Sequence, residues 1–109
     1  MSNLHLKANP TLADIQQYVI DLEKERGFTD FGVVEQALLM VEEVGELCKE
    51  IRKSNTKLGM DAAKSYELEA AHEIADVLIL LCAVANRLGV DMEQGLRDKE
   101  EKNKTRTWR

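Results

Sequence analysis

Four carboxylates in two short clusters are the residues of this chain best suited to chemistry. Glu43 and Glu46 form Glu-x-x-Glu, and Glu73 and Asp76 form Glu-x-x-Asp. Each pair is spaced i,i+3, so on a helix both side chains leave from one face. Asp76 is the only charge in the run Ile74 to Ala85. A lone ionised carboxylate in such a helix is costly unless something cationic compensates it. Two like charges 4 Å apart repel by about 4 kcal/mol at an effective dielectric near 20. A hard divalent cation relieves that repulsion. Carboxylate oxygens suit Mg2+, with Mn2+ as a substitute, because magnesium takes oxygen ligands and keeps waters that substrate phosphates can replace. Zinc is disfavoured, since its sites draw on His and Cys, and the chain has only His5 and His72 and two separated cysteines.

A second group lies downstream. Lys99, Lys102, Asn103 and Arg106 are spaced i, i+3, i+4 and i+7, one stripe of a helix. Three cations and an amide suit a polyphosphate, with Arg supplying a planar fork and Lys a point charge. The bland alternative is a solvated helix end whose cations favour the macrodipole. For the acids it is a solvated face, with Asp76 paired to Lys or Arg.

These residues need helices to hold them, and the chain is built for helices. It has 109 residues, 44% hydrophobic and 32% charged, with one proline, Pro10. That is enough for one folded domain. Residues 1–10 read as a flexible tail and 11–109 as a single all-α domain. Thr11 and Asp14 form a capping-box pattern for a first helix that Gly27 stops. Thr29 or Asp30 caps a second helix over about 31–52, and Ser54 to Asp61 reads as a loop. The third helix spans about 63–88, apolar nearly all round from Ile74 and hence buried on most sides, and Gly89 ends it. Asp91 caps a fourth helix, with Gln94 at the reciprocal position, running to about Arg106. Four helices with short connections predict an antiparallel four-helix bundle. The apolar surface of the third helix predicts a homo-oligomer, dimer or tetramer.

The net charge of −5 disfavours a nucleic-acid or anionic-membrane partner. No apolar run is long enough for a bilayer. Residues 1–10 lack the apolar core of a signal peptide. Cys48 and Cys82 read as buried free thiols, which fits a reducing, cytoplasmic setting.

The chain resembles the MazG-like nucleotide pyrophosphohydrolases of the all-α NTP pyrophosphatase superfamily. The resemblance rests on Glu42-Glu43-Val44-Gly45-Glu46-Leu47, then Glu73-Ile74-Ala75-Asp76-Val77-Leu78, then Lys99 to Arg106, in that order. It implies a MazG-type bundle that hydrolyses (deoxy)nucleoside triphosphates between the α and β phosphates, giving a monophosphate and pyrophosphate, with nucleotide-pool cleansing as the role. It further implies that Glu43, Glu46, Glu73 and Asp76 bind catalytic magnesium. Lys99, Lys102, Asn103 and Arg106 would contact phosphate. Glu42 and Glu50 would be supporting acids at most, and one second-helix acid would take a proton from the attacking water. For the base, Tyr18, Phe28, Phe31 and Trp108 are the aromatic candidates, each more simply read as packing, or for Trp108 as a loose terminus.

Two rival readings remain. Glu69-Ala70-Ala71-His72 matches the Glu-x-x-His of di-iron carboxylate bundles, but a second copy would have to come from a partner subunit. A non-catalytic helical interaction module would suit the charged faces but leaves Asp76 unexplained.

Overall fold

The computed structural model describes residues 2–55 and 63–108. Four helices follow in order, α1 (Leu12–Arg26), α2 (Val33–Asn55), α3 (Ala63–Leu88) and α4 (Met92–Lys104), with no strand among the described residues. The all-α class is therefore as the composition dictates.

Local chemistry sets the ends. Thr11 caps α1 through a full capping box: its Oγ1 accepts from Asp14 N–H at 3.1 Å, and its own N–H donates to Asp14 Oδ2 at 2.9 Å. The backbone bond from Thr11 leads the causes that hold the Asp14 carboxyl below its usual range. Gly27 and Gly89 close α1 and α3 at φ 75° and 70°. That left-handed conformation is nearly strain-free only for glycine. Beyond each, Phe28 N–H reaches back to Glu23 O and Val90 N–H to Ala85 O, satisfying carbonyls the helix leaves open.

Three expectations are corrected. Neither Thr29 nor Asp30 caps α2. The helix starts at Val33 because the Glu35 carboxylate folds back to accept Gly32 N–H at 3.1 Å. Ser54 and Asn55 belong to α2, and the rest of the expected loop, from residue 56, lies outside the described residues. At α4, Asp91 Oδ1 accepts Gln94 N–H, but the Gln94 side chain donates forward to Asp98 rather than back to the cap, and the helix ends at Lys104.

The chain folds as two compact units, and the division between them falls inside α3. The first comprises residues 1–30 and 82–109. Its core is Val19, Leu22, Cys82, Ala83 and Ala85. Gln16 is its polar hub. Gln16 Nε2 donates to Asn86 Oδ1 (3.1 Å) and Val90 O (2.8 Å), its Oε1 accepts Met92 N–H (3.0 Å), and Asn86 Nδ2 donates to Gln16 O (3.0 Å). One buried amide thereby satisfies backbone groups that the α3–α4 corner would otherwise orphan. Beside it Arg87 grips both carboxylate oxygens of Glu23 and also donates to Ala83 O and Phe28 O.

The second unit, residues 31–81, holds α2 and the first part of α3. It is much less covered. Val34, Leu38 and Val41 on α2 are 62–66% exposed, and Ile74, Leu78 and Leu81 on α3 are 38–56% exposed. From Ile74 to Leu81 α3 is thus not buried on most sides in the single chain, whereas Cys82, Ala83 and Ala85 further along it are buried. Cys48 is exposed as well, contrary to expectation, while Cys82 is buried and its thiol pKa is pushed up by that burial. No described helix is long and apolar enough to cross a membrane.

Candidate metal and phosphate residues

The acids of α2 and α3 meet inside the second unit. Glu43, Glu73 and Asp76 each offer a carboxylate oxygen, and the three oxygens lie within 4.8 Å of one another. Glu43 comes from α2, Glu73 and Asp76 from α3. The i,i+3 spacing of the α3 pair, on a helix rich in alanine, turns both toward α2. Glu46 is exposed and lies outside this mutual set, although its charge reaches Glu73.

The trio is electrostatically loaded. The Glu73 carboxyl is pushed up to about 7. The largest cause is the Glu43 carboxylate, which accepts its hydrogen, followed by desolvation and then the charges of Glu43, Asp76 and Glu46. Glu73 Oε2 is buried, and among the described residues no donor reaches it. A carboxylate oxygen shielded from water and left without a donor is destabilising, and a cation would remove that cost. The donor set is all oxygen, which fits a hard divalent ion. His72 is exposed and no histidine joins the trio, so the Glu-x-x-His reading gains nothing here. Of the two supporting acids, Glu42 is exposed and Glu50 lies 3.9 Å from Lys53.

The basic stripe lies on α4 and just past it, in the first unit. Arg97 and Lys104 are spent on Glu93 and Glu101 at 3.0 and 2.8 Å. Lys99, Lys102 and Arg106 make no ion pair among the described residues. The Asn103 amide donates to Glu100 Oε1 at 3.0 Å, and its Oδ1 is buried without a partner among the described residues. A shallow hollow lined by Glu93, Leu96, Arg97 and Lys104 occupies the opposite side of α4 and includes none of the stripe residues.

Trp108 is not a loose end. Its Nε1–H donates to Asn103 O at 3.3 Å, and Arg106 Cζ lies 4.5 Å from its ring centroid. Spacing could not have announced this contact, because it forms beyond the helix, where helical periodicity no longer applies. Phe28 and Phe31 are exposed, and Tyr18 lines a small groove with His5, Lys7 and Asp21.

Residues 33–108 match the MazG nucleotide pyrophosphohydrolase domain. The chain belongs to this family. The MazG match takes in all four acids and the whole basic stripe. Among named relatives, the mouse dCTP pyrophosphatase 1 is 38% identical over 100 residues, covering 89% of this chain and 59% of that protein. The bovine dCTP pyrophosphatase 1 is 34% identical over 102 residues, 91% of this chain and 60% of that protein. The YvdC protein of Bacillus subtilis (strain 168) is 26% identical over 98 residues, 84% of this chain and 91% of its own length. The chain thus spans about three-fifths of the mammalian relatives.

Proposed function

We propose that this MazG domain hydrolyses nucleoside triphosphates at the α–β phosphate bond, releasing a monophosphate and pyrophosphate. The observation that carries the reading is the convergence of Glu43, Glu73 and Asp76 around a buried Glu73 oxygen with no donor among the described residues, in a chain of a pyrophosphohydrolase family. These three residues would hold Mg2+. When bound, the ion supplies charge neutralisation at the phosphates and acidifies a water.

The remaining roles fall to the chain's own groups. Glu46, standing outside the trio, is the second-helix acid left to accept the proton of the attacking water. Lys99, Lys102 and Arg106, uncommitted to carboxylates, bind phosphate oxygens. The Asn103 amide completes the stripe. A polyanion with four negative charges requires such cations, because each unpaired phosphate charge removed from water is expensive. Relatives named dCTP pyrophosphatase make dCTP the first substrate to try. Assembly as a homo-oligomer, a cytoplasmic setting and a role in cleansing the nucleotide pool belong to the same reading, as does the treatment of 11–109 as one domain behind a tail.

The test is pyrophosphate release from dCTP and from a panel of the other ribo- and deoxyribonucleoside triphosphates, with Mg2+ and with chelator. Turnover that needs Mg2+ and disappears in Glu73→Gln is the expected result. A protein that releases no pyrophosphate from any of them, or does so equally in chelator, defeats the proposal.

A further inference from the structure

We infer that Trp108 is a positioning residue that pre-orders Arg106 for a polyphosphate. The inference deepens the role just given to Arg106 and rests on it. The last carbonyls of a helix have no partner within it. At the end of α4 the Trp108 indole folds back and donates to one of them, Asn103 O, at 3.3 Å. The same carbonyl accepts the Arg106 backbone N–H at 3.1 Å. Thr105 tightens the turn further, its Oγ1 donating to Lys102 O at 2.8 Å. The ring is thereby fixed to the helix end, and Arg106 Cζ stands over it at 4.5 Å.

The consequence follows from the shape of the guanidinium. An arginine free in solvent is spread over many rotamers, and binding must collapse them. A guanidinium on an aromatic ring is held through its face, while its five N–H donors lie in its plane and point outward. Those donors are the ones that form paired bonds to phosphate oxygens. Arg106 makes no ion pair among the described residues, so the stack orders it without consuming its charge. Arg97 and Lys104, by contrast, are held by carboxylates that would have to be displaced. The indole therefore does for Arg106 what an acid does for its neighbours, at no electrostatic cost to an incoming anion.

Trp108 is the only tryptophan of the chain, so tryptophan emission reports on the surroundings of this indole, and the Arg106 variant isolates the share due to the contact. Inorganic tripolyphosphate with Mg2+, added to the full chain, should change that emission saturably, and Arg106→Gln should abolish the change. In steady-state kinetics Trp108→Ala should raise KM for the triphosphate by about 2–5-fold, the size expected for losing an exposed cation–π contact, with KM rather than kcat carrying the change. Trp108→Phe, which keeps a ring, should recover much of it. In an Arg106→Gln background, Trp108→Ala should add nothing. A KM unchanged in Trp108→Ala, or raised equally with and without Arg106, overturns the inference and leaves the pyrophosphohydrolase reading standing. A protein that shows the Arg106-dependent emission change but no turnover on any triphosphate defeats the catalytic reading and keeps this one.

Discussion

The carboxyl of Glu73 on α3 shares its proton with the carboxylate of Glu43 on α2, and this contact pushes Glu73 up to about 7 from an ordinary 4.5. A raised acid has a definite signature in stability. Below about 4.5 both the folded and the unfolded chain carry the Glu73 proton; between there and about 7 only the folded chain does. The folded state binds more protons in that window, so stability falls as pH rises through it, and the full penalty is present above about 7. In chelator, the melting temperature of the wild type should therefore decline over this range relative to Glu73→Gln. Equal pH slopes for the two proteins would show that Glu43 and Glu73 do not interact in solution.

Metal should reverse the penalty. Ligand oxygens must be deprotonated to bind, so Mg2+ competes with the Glu73 proton and its apparent affinity should climb with pH up to about 7. Thermal melts with and without Mg2+ at neutral pH should separate the four acids. Glu43→Gln, Glu73→Gln and Asp76→Asn should lose the Mg2+-induced rise. Glu46→Gln, outside the mutual set, should keep most of it while losing turnover. A Glu46→Gln protein that no longer responds to Mg2+ would place Glu46 among the ligands and vacate its role as proton acceptor.

Much of this is legible in the residues because the deciding interactions are short-range. Thr11 with Asp14, Gly27 and Gly89 act within one helical turn, and the helix ends they define agree with the pattern. The start of α2 departs from the pattern because its cap is a Glu35 side chain reaching back to a glycine, so the capping oxygen does not sit on the residue that is capped. The i,i+3 spacing of Glu43 and Glu46 states that they share a flank of α2. It does not state which of them lies level with α3, since three residues advance the helix by about 4.5 Å and turn it by about 60°. The exposure of Cys48 and the Arg106–Trp108 stack are likewise invisible in sequence, being set by what lies across from a residue rather than by its neighbours along the chain.

The Arg87–Glu23 pair should be the most sensitive point of the first unit. Both side chains are largely buried, and each Arg87 terminal nitrogen binds one Glu23 oxygen. Removing one partner leaves the other charge buried and unpaired, a loss of about 3–5 kcal/mol. Glu23→Gln or Arg87→Met should lower the melting temperature by more than about 10 °C for a domain of this size. Replacing both together with apolar residues should cost less than the two single changes summed, because no charge is stranded. Additive losses would mean that Ala83 O and Phe28 O, not Glu23, are what Arg87 serves.

The last prediction concerns the second unit's bare apolar stripes. Val34, Leu38 and Val41 recur at i, i+4 and i+7 on α2, and Ile74, Leu78 and Leu81 do so on α3. Each such side chain is worth about 1.5–3 kcal/mol when fully buried, and all six are part-exposed, so a share of that stabilisation is left unused. A second copy of the same chain presents the same stripes and can cover them symmetrically. Sedimentation at micromolar protein should give a dimer or tetramer, with a melting temperature that rises with concentration. Leu38→Glu, which would bring a charge into that contact, should shift the protein toward monomer and remove the concentration dependence. Wild type sedimenting as a monomer throughout would mean that these stripes are covered by something other than the chain itself.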